Sequence, residues 1–210
     1  MEGFDRSTEK WGTELSEVVK DLLQKEESEG LKQITSAPRE YRIRLPITPE
    51  ALKSLSRLPF EVFLTEHNAG TTLVTGGVDI AWLDPHTGPR TADEARYTLH
   101  NHPGATAASP TISDLERSQI DKSDVDFIVG AEGITVHKLL PESRNLFVGS
   151  KVWEDPDKTA EDEHEYIEKD IARELIDAWI PWGDPRVQDI CNYINGKVEW
   201  SDVKERIRTP

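Results

Sequence analysis

The chain has 210 residues, 36% hydrophobic and 31% charged, enough for one modest core; no stretch approaches the roughly 18 apolar residues of a membrane span. Its net charge of −15, from 40 acidic against 25 basic residues, disfavours nucleic acid and anionic membranes as partners and would steer in a basic protein or peptide, though an acidic surface also serves plain solubility. A single cysteine, Cys191, excludes an intramolecular disulfide framework and fits a reducing, cytoplasmic compartment.

Met1–Arg6 leads into charge without an apolar run, so no secretory signal is expected, and residues 1–10 read as disordered. Leu15, Val18, Val19, Leu22 and Leu23 follow Thr13 at helical spacing, predicting a helix over 13–28 with a threonine N-cap, stopped by Ser28-Glu29-Gly30. Tyr41–Leu45 alternates as a strand does. Thr48-Pro49-Glu50 starts a second helix, with Pro at the first helical position and Ala51, Leu52, Leu55 and Leu58 as its buried stripe.

Strands are expected at Phe60–Leu64 and Thr71–Thr75, joined by the turn Asn68-Ala69-Gly70, then at Val78–Leu83 and Ala95–His100. A short helix should run from Thr111 to about Ile120. Phe127–Gly130 and Ile134–Leu139 read as a strand pair around Ala131-Glu132-Gly133. Residues 141–160 are polar and proline-interrupted. Residues 161–179 carry Ile167, Ile171, Leu175, Ile176 and Trp179 at helical spacing, and shorter helices are expected near 185–195 and 201–207. The division expected is an N-terminal extension over 1–46, an α/β core over 47–140, a linker over 141–160 and a helical appendage over 161–210; the linker could equally be a surface loop within one domain.

The chemistry concentrates in His100-Asn101-His102-Pro103 and the following Ser109-Pro110-Thr111-Ile112-Ser113-Asp114. In a strand, residues two apart share a face, so His100 and His102 can offer two imidazoles to one ion. Asp114, in the first turn of the expected helix, supplies a carboxylate. Two imidazoles and a carboxylate leave the fourth tetrahedral position open, the arrangement of a catalytic zinc. A zinc-activated water needs a general base, for which Glu61 at the start of an apolar strand is the candidate and Glu66 its competitor. Thr111 could donate to an oxyanion, but its hydroxyl also suits a helix N-cap; Asp114 likewise suits any helix first turn.

The upstream Glu, His-x-His-Pro, short loop and hydroxyl-x-x-Asp pattern resembles the JAMM (MPN-type) zinc metalloproteases, and its Asn101 and Ser109-Pro110 look most like the bacterial RadC-type branch. The resemblance covers about residues 47–140. It departs in Thr111, where the family has serine, and in a loop one residue longer, which leaves Ser109 or Ser113 as alternative hydroxyls. It implies an α/β, cytidine-deaminase-like mixed sheet flanked by helices, with additional helices at both ends. It implies Zn2+ as cofactor and hydrolysis of a peptide or isopeptide bond, with ubiquitin or a ubiquitin-like protein among the substrates to consider. A non-catalytic JAMM-like binding module and a RadC-type protein associated with DNA transactions are the alternatives.

His67, His86, His137 and His164 have no partner at ligand spacing and read as surface or loop residues. Cys191, beside Ile190 and Ile194, reads as core packing. Trp179, Trp182 and Trp200 are expected in the core, an exposed pair being the mark of a partner surface.

Overall fold

The computed structural model describes residues 12–35, 39–67, 70–75, 96–104, 125–139 and 175–208. In chain order its elements are β1 (Thr13–Glu14), α1 (Leu15–Glu29), α2 (Leu31–Ile34), β2 (Glu40–Arg44), α3 (Pro49–Ser54) with a 3-10 turn at Leu55–Arg57, β3 (Val62–His67) and β4 (Gly70–Thr75). They continue with β5 (Tyr97–Asn101), β6 (Val125–Val129), β7 (Gly133–Leu139), β8 (Leu175–Pro181), α4 (Arg186–Ile194) and α5 (Trp200–Arg208). The strands form one mixed eight-stranded sheet in the order β1-β2-β4-β3-β5-β6-β7-β8. Among the described strands, β1/β2 and β5/β6 run parallel and the other neighbours antiparallel. The expected α/β class, a mostly antiparallel mixed sheet with helices against it, is what forms.

Local chemistry explains most of the elements. In α1 the buried Leu15, Val18, Val19 and Leu22 make one stripe, and Gly30, at φ 85°, ends the helix where a side chain would be strained. Thr13 lies in β1 rather than capping the helix, and Glu14 occupies the N-cap position. Thr48 caps α3 by accepting from the Ala51 N–H at 3.2 Å, with Pro49 in the first turn. Asp184 accepts from the Arg186 N–H at 2.8 Å as α4 begins.

Residue alternation divides the central strands between two environments. Val62 and Leu64 of β3, Tyr97 and Leu99 of β5, Val125, Phe127 and Val129 of β6, and Ile134 and Val136 of β7 join the stripes of α1, α3, α4 and α5 in one apolar core. Tyr97, Phe127, Tyr193 and Trp200 interlock at its centre, with ring centroids 5.4–6.3 Å apart at tilted or edge-on angles. Phe63 and Ile128 are fully buried yet lie outside this core, on the opposite face.

One expected helix gives way to a strand. The amphipathic helix expected over 161–179 does not extend to its predicted end, because Leu175–Pro181 is strand β8, antiparallel to β7 from Gly133↔Pro181 to Leu139↔Leu175. Ile180 enters the core, Ala178 packs against it, and Trp179, on the other face, is 46% exposed. The expected strand at 78–83, the helix at 111–120, the stretch 141–160 and residues 161–174 lie outside the described residues.

Candidate metal centre

Strand β5 does what its alternation requires: it presents His100 and His102 on one face of the sheet. Their Nε2 atoms are 3.0 Å apart, with ring centroids 4.9 Å apart and planes at 50°. Two imidazole nitrogens bound tetrahedrally to one zinc, each at about 2.0–2.1 Å, stand about 3.3 Å apart, so the pair is close to a ligating geometry. The same separation serves an N–H···N hydrogen bond when one ring is protonated at Nε2 and the other is not. His100 is buried and His102 half-buried. The His102 N–H donates to the Val129 carbonyl at 3.1 Å, which ties the end of the motif to β6 before the chain turns at Gly104.

Glu61 reaches this face through strand register. Strands β3 and β5 are antiparallel and their pairing ends at Phe63 opposite His100; continuing the alternation two residues past that end puts Glu61 on the histidine side. Its exposure is only 6%, and a carboxylate so buried is costly away from polar partners. Glu66 takes the other face, an odd number of residues along the strand. Its carboxylate lies 3.1 Å from Arg96 Nη1, and burial raises its pKa, with Arg96 pulling the other way. Arg96 is fixed in turn by Tyr193: its Nη2 donates to the Tyr193 carbonyl at 2.7 Å, its guanidinium stacks on the ring at 4.9 Å, and the Tyr193 hydroxyl donates to the Arg96 carbonyl at 2.6 Å. The two candidate bases thus fall on different faces: alternation puts Glu61 on the histidine side, and Glu66 lies beside Arg96 on the other.

The histidine face carries a second buried polar group that sequence reasoning did not single out. Thr98 Oγ1 donates to Asp126 Oδ1, and Asp126 Oδ2 lies 3.8 Å from His137 Nε2. His137, expected at the surface or in a loop, is fully buried, because β7 is an interior strand and its register places His137 opposite Asp126. The signal was present: the hairpin read around 131–133 pairs these two positions. His67 ends β3, whereas His86 and His164 lie outside the described residues.

Asp114, Thr111, Ser109 and Ser113 also lie outside the described residues. Among the described residues no group of three or more His, Cys, Asp or Glu side chains converges to hold an ion, so the fit of a metal rests on the two imidazoles, with Glu61 on their face. Cys191 is buried in the core as expected, and burial, reinforced by Glu50, raises its thiol pKa to about 12. Of the tryptophans, Trp200 is buried and Trp182 half-buried, its indole N–H directed at the Gly130 and Ala131 carbonyls. No helix among the described residues is long and apolar enough to cross a membrane. No family model matches the chain, and no curated protein or solved structure matches it.

Proposed function

We propose that this chain is a zinc-dependent hydrolase of peptide or isopeptide bonds with a JAMM (MPN-type) fold and mechanism. The observation that supports this most is the convergence of His100 and His102 Nε2 at 3.0 Å; the buried Glu61, two residues before Phe63, falls on the same face by alternation. His100, His102 and Asp114 would hold the ion. A zinc there would lower the pKa of a coordinated water toward roughly 7 and polarise a substrate carbonyl.

Glu61 accepts the proton released as water attacks and returns it to the departing amine; its burial keeps that carboxylate from bulk solvent. Thr111, with Ser109 or Ser113 as the alternatives, would supply the hydroxyl for the developing oxyanion. The net charge of −15 favours a protein or peptide substrate with a basic face over DNA, so a protease fits better than a DNA-binding RadC-type role; ubiquitin or a ubiquitin-like protein is the first substrate to try.

The test is elemental analysis of the purified parent and a His102→Ala variant, followed by assays on di-ubiquitin and an unstructured peptide. About one zinc per chain in the parent and none in the variant is the expected result. Glu61→Gln should then keep the metal and lose about 10²–10⁴-fold in rate. A parent that takes up no zinc near neutral pH would overturn the hydrolase reading in favour of a non-catalytic module.

A further inference from the structure

We infer that Asn101, between the two histidines, is a positioning residue that uses its side-chain amide to hold Glu61 at a set distance from the histidine pair. The inference rests on the hydrolase reading above. Asn101 is fully buried, and by alternation it sits on the opposite face of β5 from His100 and His102. Its Oδ1 accepts from the Val62 N–H at 2.8 Å, and its Nδ2 donates to the Phe60 carbonyl at 3.1 Å. Those two backbone groups bracket Glu61. One amide therefore fixes the chain on both sides of the proposed base.

The clamp stands where the strand ladder ends. The β3/β5 register runs from Thr65↔Thr98 to Phe63↔His100 and stops there. Strand β5 stays with β6 through Asn101↔Val129 and the His102 N–H to Val129 carbonyl bond. In a closed antiparallel ladder, opposed Cα atoms stand about 4.5–5.5 Å apart. Here a side-chain amide takes the place of the next backbone pair and offers one acceptor and one donor, as a peptide would. The segment that carries Glu61 is thereby tied to β5 through a side chain rather than through a backbone pair, so the position of Glu61 relative to the histidines depends on Asn101. The residue types at this position that can both accept and donate with a planar amide are few, and Asn has the shortest reach of them.

The variants are Asn101→Ala, which removes both bonds, and Asn101→Ser, whose single hydroxyl cannot span both partners and which leaves a smaller gap should the alanine variant fail to fold. Zinc content, backbone amide exchange and cleavage of di-ubiquitin and the peptide are measured on the full chain. The expected result has three parts. Zinc is retained; the Val62 amide exchanges at least about tenfold faster while Leu64 and Leu99 stay protected. On whichever probe the parent cleaves, kcat falls by about 10²-fold with KM within about twofold, as misplacement of a reacting group requires. Faster Val62 exchange with unchanged kcat would overturn the positioning role while leaving the hydrolase reading intact. Unchanged Val62 exchange would overturn the clamp itself. A zinc-loaded parent inactive on both probes would remove the hydrolase reading and the positioning role with it.

Discussion

Replacing Gly133 with alanine tests the feature that the sequence misread, the docking of β8 on β7. Gly133 opens β7 opposite Pro181, and a Cβ added there would press on the Ile180 carbonyl oxygen and come within 3.0 Å of the Ile180 carbonyl carbon and Pro181 Cα. Every one of these atoms is backbone, so no side chain can swing away. Relief requires β8 to shift where the Trp182 N–H meets the Glu132 carbonyl at 3.1 Å and where the Gly130 N–H meets the Gly133 carbonyl at 2.9 Å. Overpacking costs about 1–3 kcal/mol and each weakened hydrogen bond about 0.5–1.5 kcal/mol, against a gain of about 0.4–1 kcal/mol from the stiffer unfolded chain. The net is a loss of about 2–4 kcal/mol. Followed by tryptophan fluorescence in urea, that loss moves the midpoint down by about 1–2 M at an m-value of about 2 kcal/mol/M. Gly183→Ala is the matched control, since a Cβ there meets nothing within 4 Å, and it should be neutral or slightly stabilising. If Gly133→Ala behaves like Gly183→Ala, β8 is not packed as described.

Other consequences are open to measurement. Because burial raises the Cys191 thiol pKa to about 12, iodoacetamide at pH 8 should alkylate it at least about 10³-fold more slowly than a free cysteine until the protein unfolds; rapid native-state labelling would contradict its place in the core. Glu66 has a folded pKa above its ordinary value, chiefly through burial, so its ionisation costs the folded state stability. That cost sets in as pH rises from the ordinary value of 4.5 to the raised folded value and is constant above it. Glu66→Gln should therefore gain on the parent across that window in urea midpoints taken from pH 4 to 7, and a gain that shrinks with rising pH would reverse the sign. Asn195 clasps Ile47 through both backbone groups, accepting at 2.7 Å and donating at 2.8 Å, and Asn195→Ala should lower stability by about 1–3 kcal/mol in the same titration.

The sequence shows the chemistry-bearing strand plainly, because a two-residue period needs no tertiary information: His100 and His102 share a face wherever β5 sits. Glu61 is different. Its place beside them depends on β3 pairing with β5, and its distinction from Glu66 depends on which face each occupies, which the register decides. The strand at 175–181 was misread because Leu175, Ile176 and Trp179 satisfy a helical stripe while Ala178 and Ile180 satisfy an alternating one; pairing with β7 decides between them. His137 was missed for a related reason, its partner Asp126 lying across a hairpin rather than at local ligand spacing. Asn101 entered the sequence reading only through the RadC-type resemblance, since nothing local announces a side chain that bonds to another strand's backbone.

The two-faced sheet assigns stability and chemistry by the parity of residue number. On β5 the odd positions 97 and 99 fill the core while the even positions 98 and 100, with 102 just past the strand's end, carry the polar face, and on β6 odd and even divide the same way. Across the 130–132 hairpin the rule inverts: 134 and 136 are core on β7, and 135 and 137 are not. A saturation scan of these strands, scored separately for abundance and for zinc retention, should therefore show two interleaved combs. Substitutions at 97, 99, 125, 127, 134 and 136 should deplete the folded protein, those at 100 and 102 should, on the zinc reading proposed above, lower zinc content more than abundance, and the teeth should change step at the hairpin.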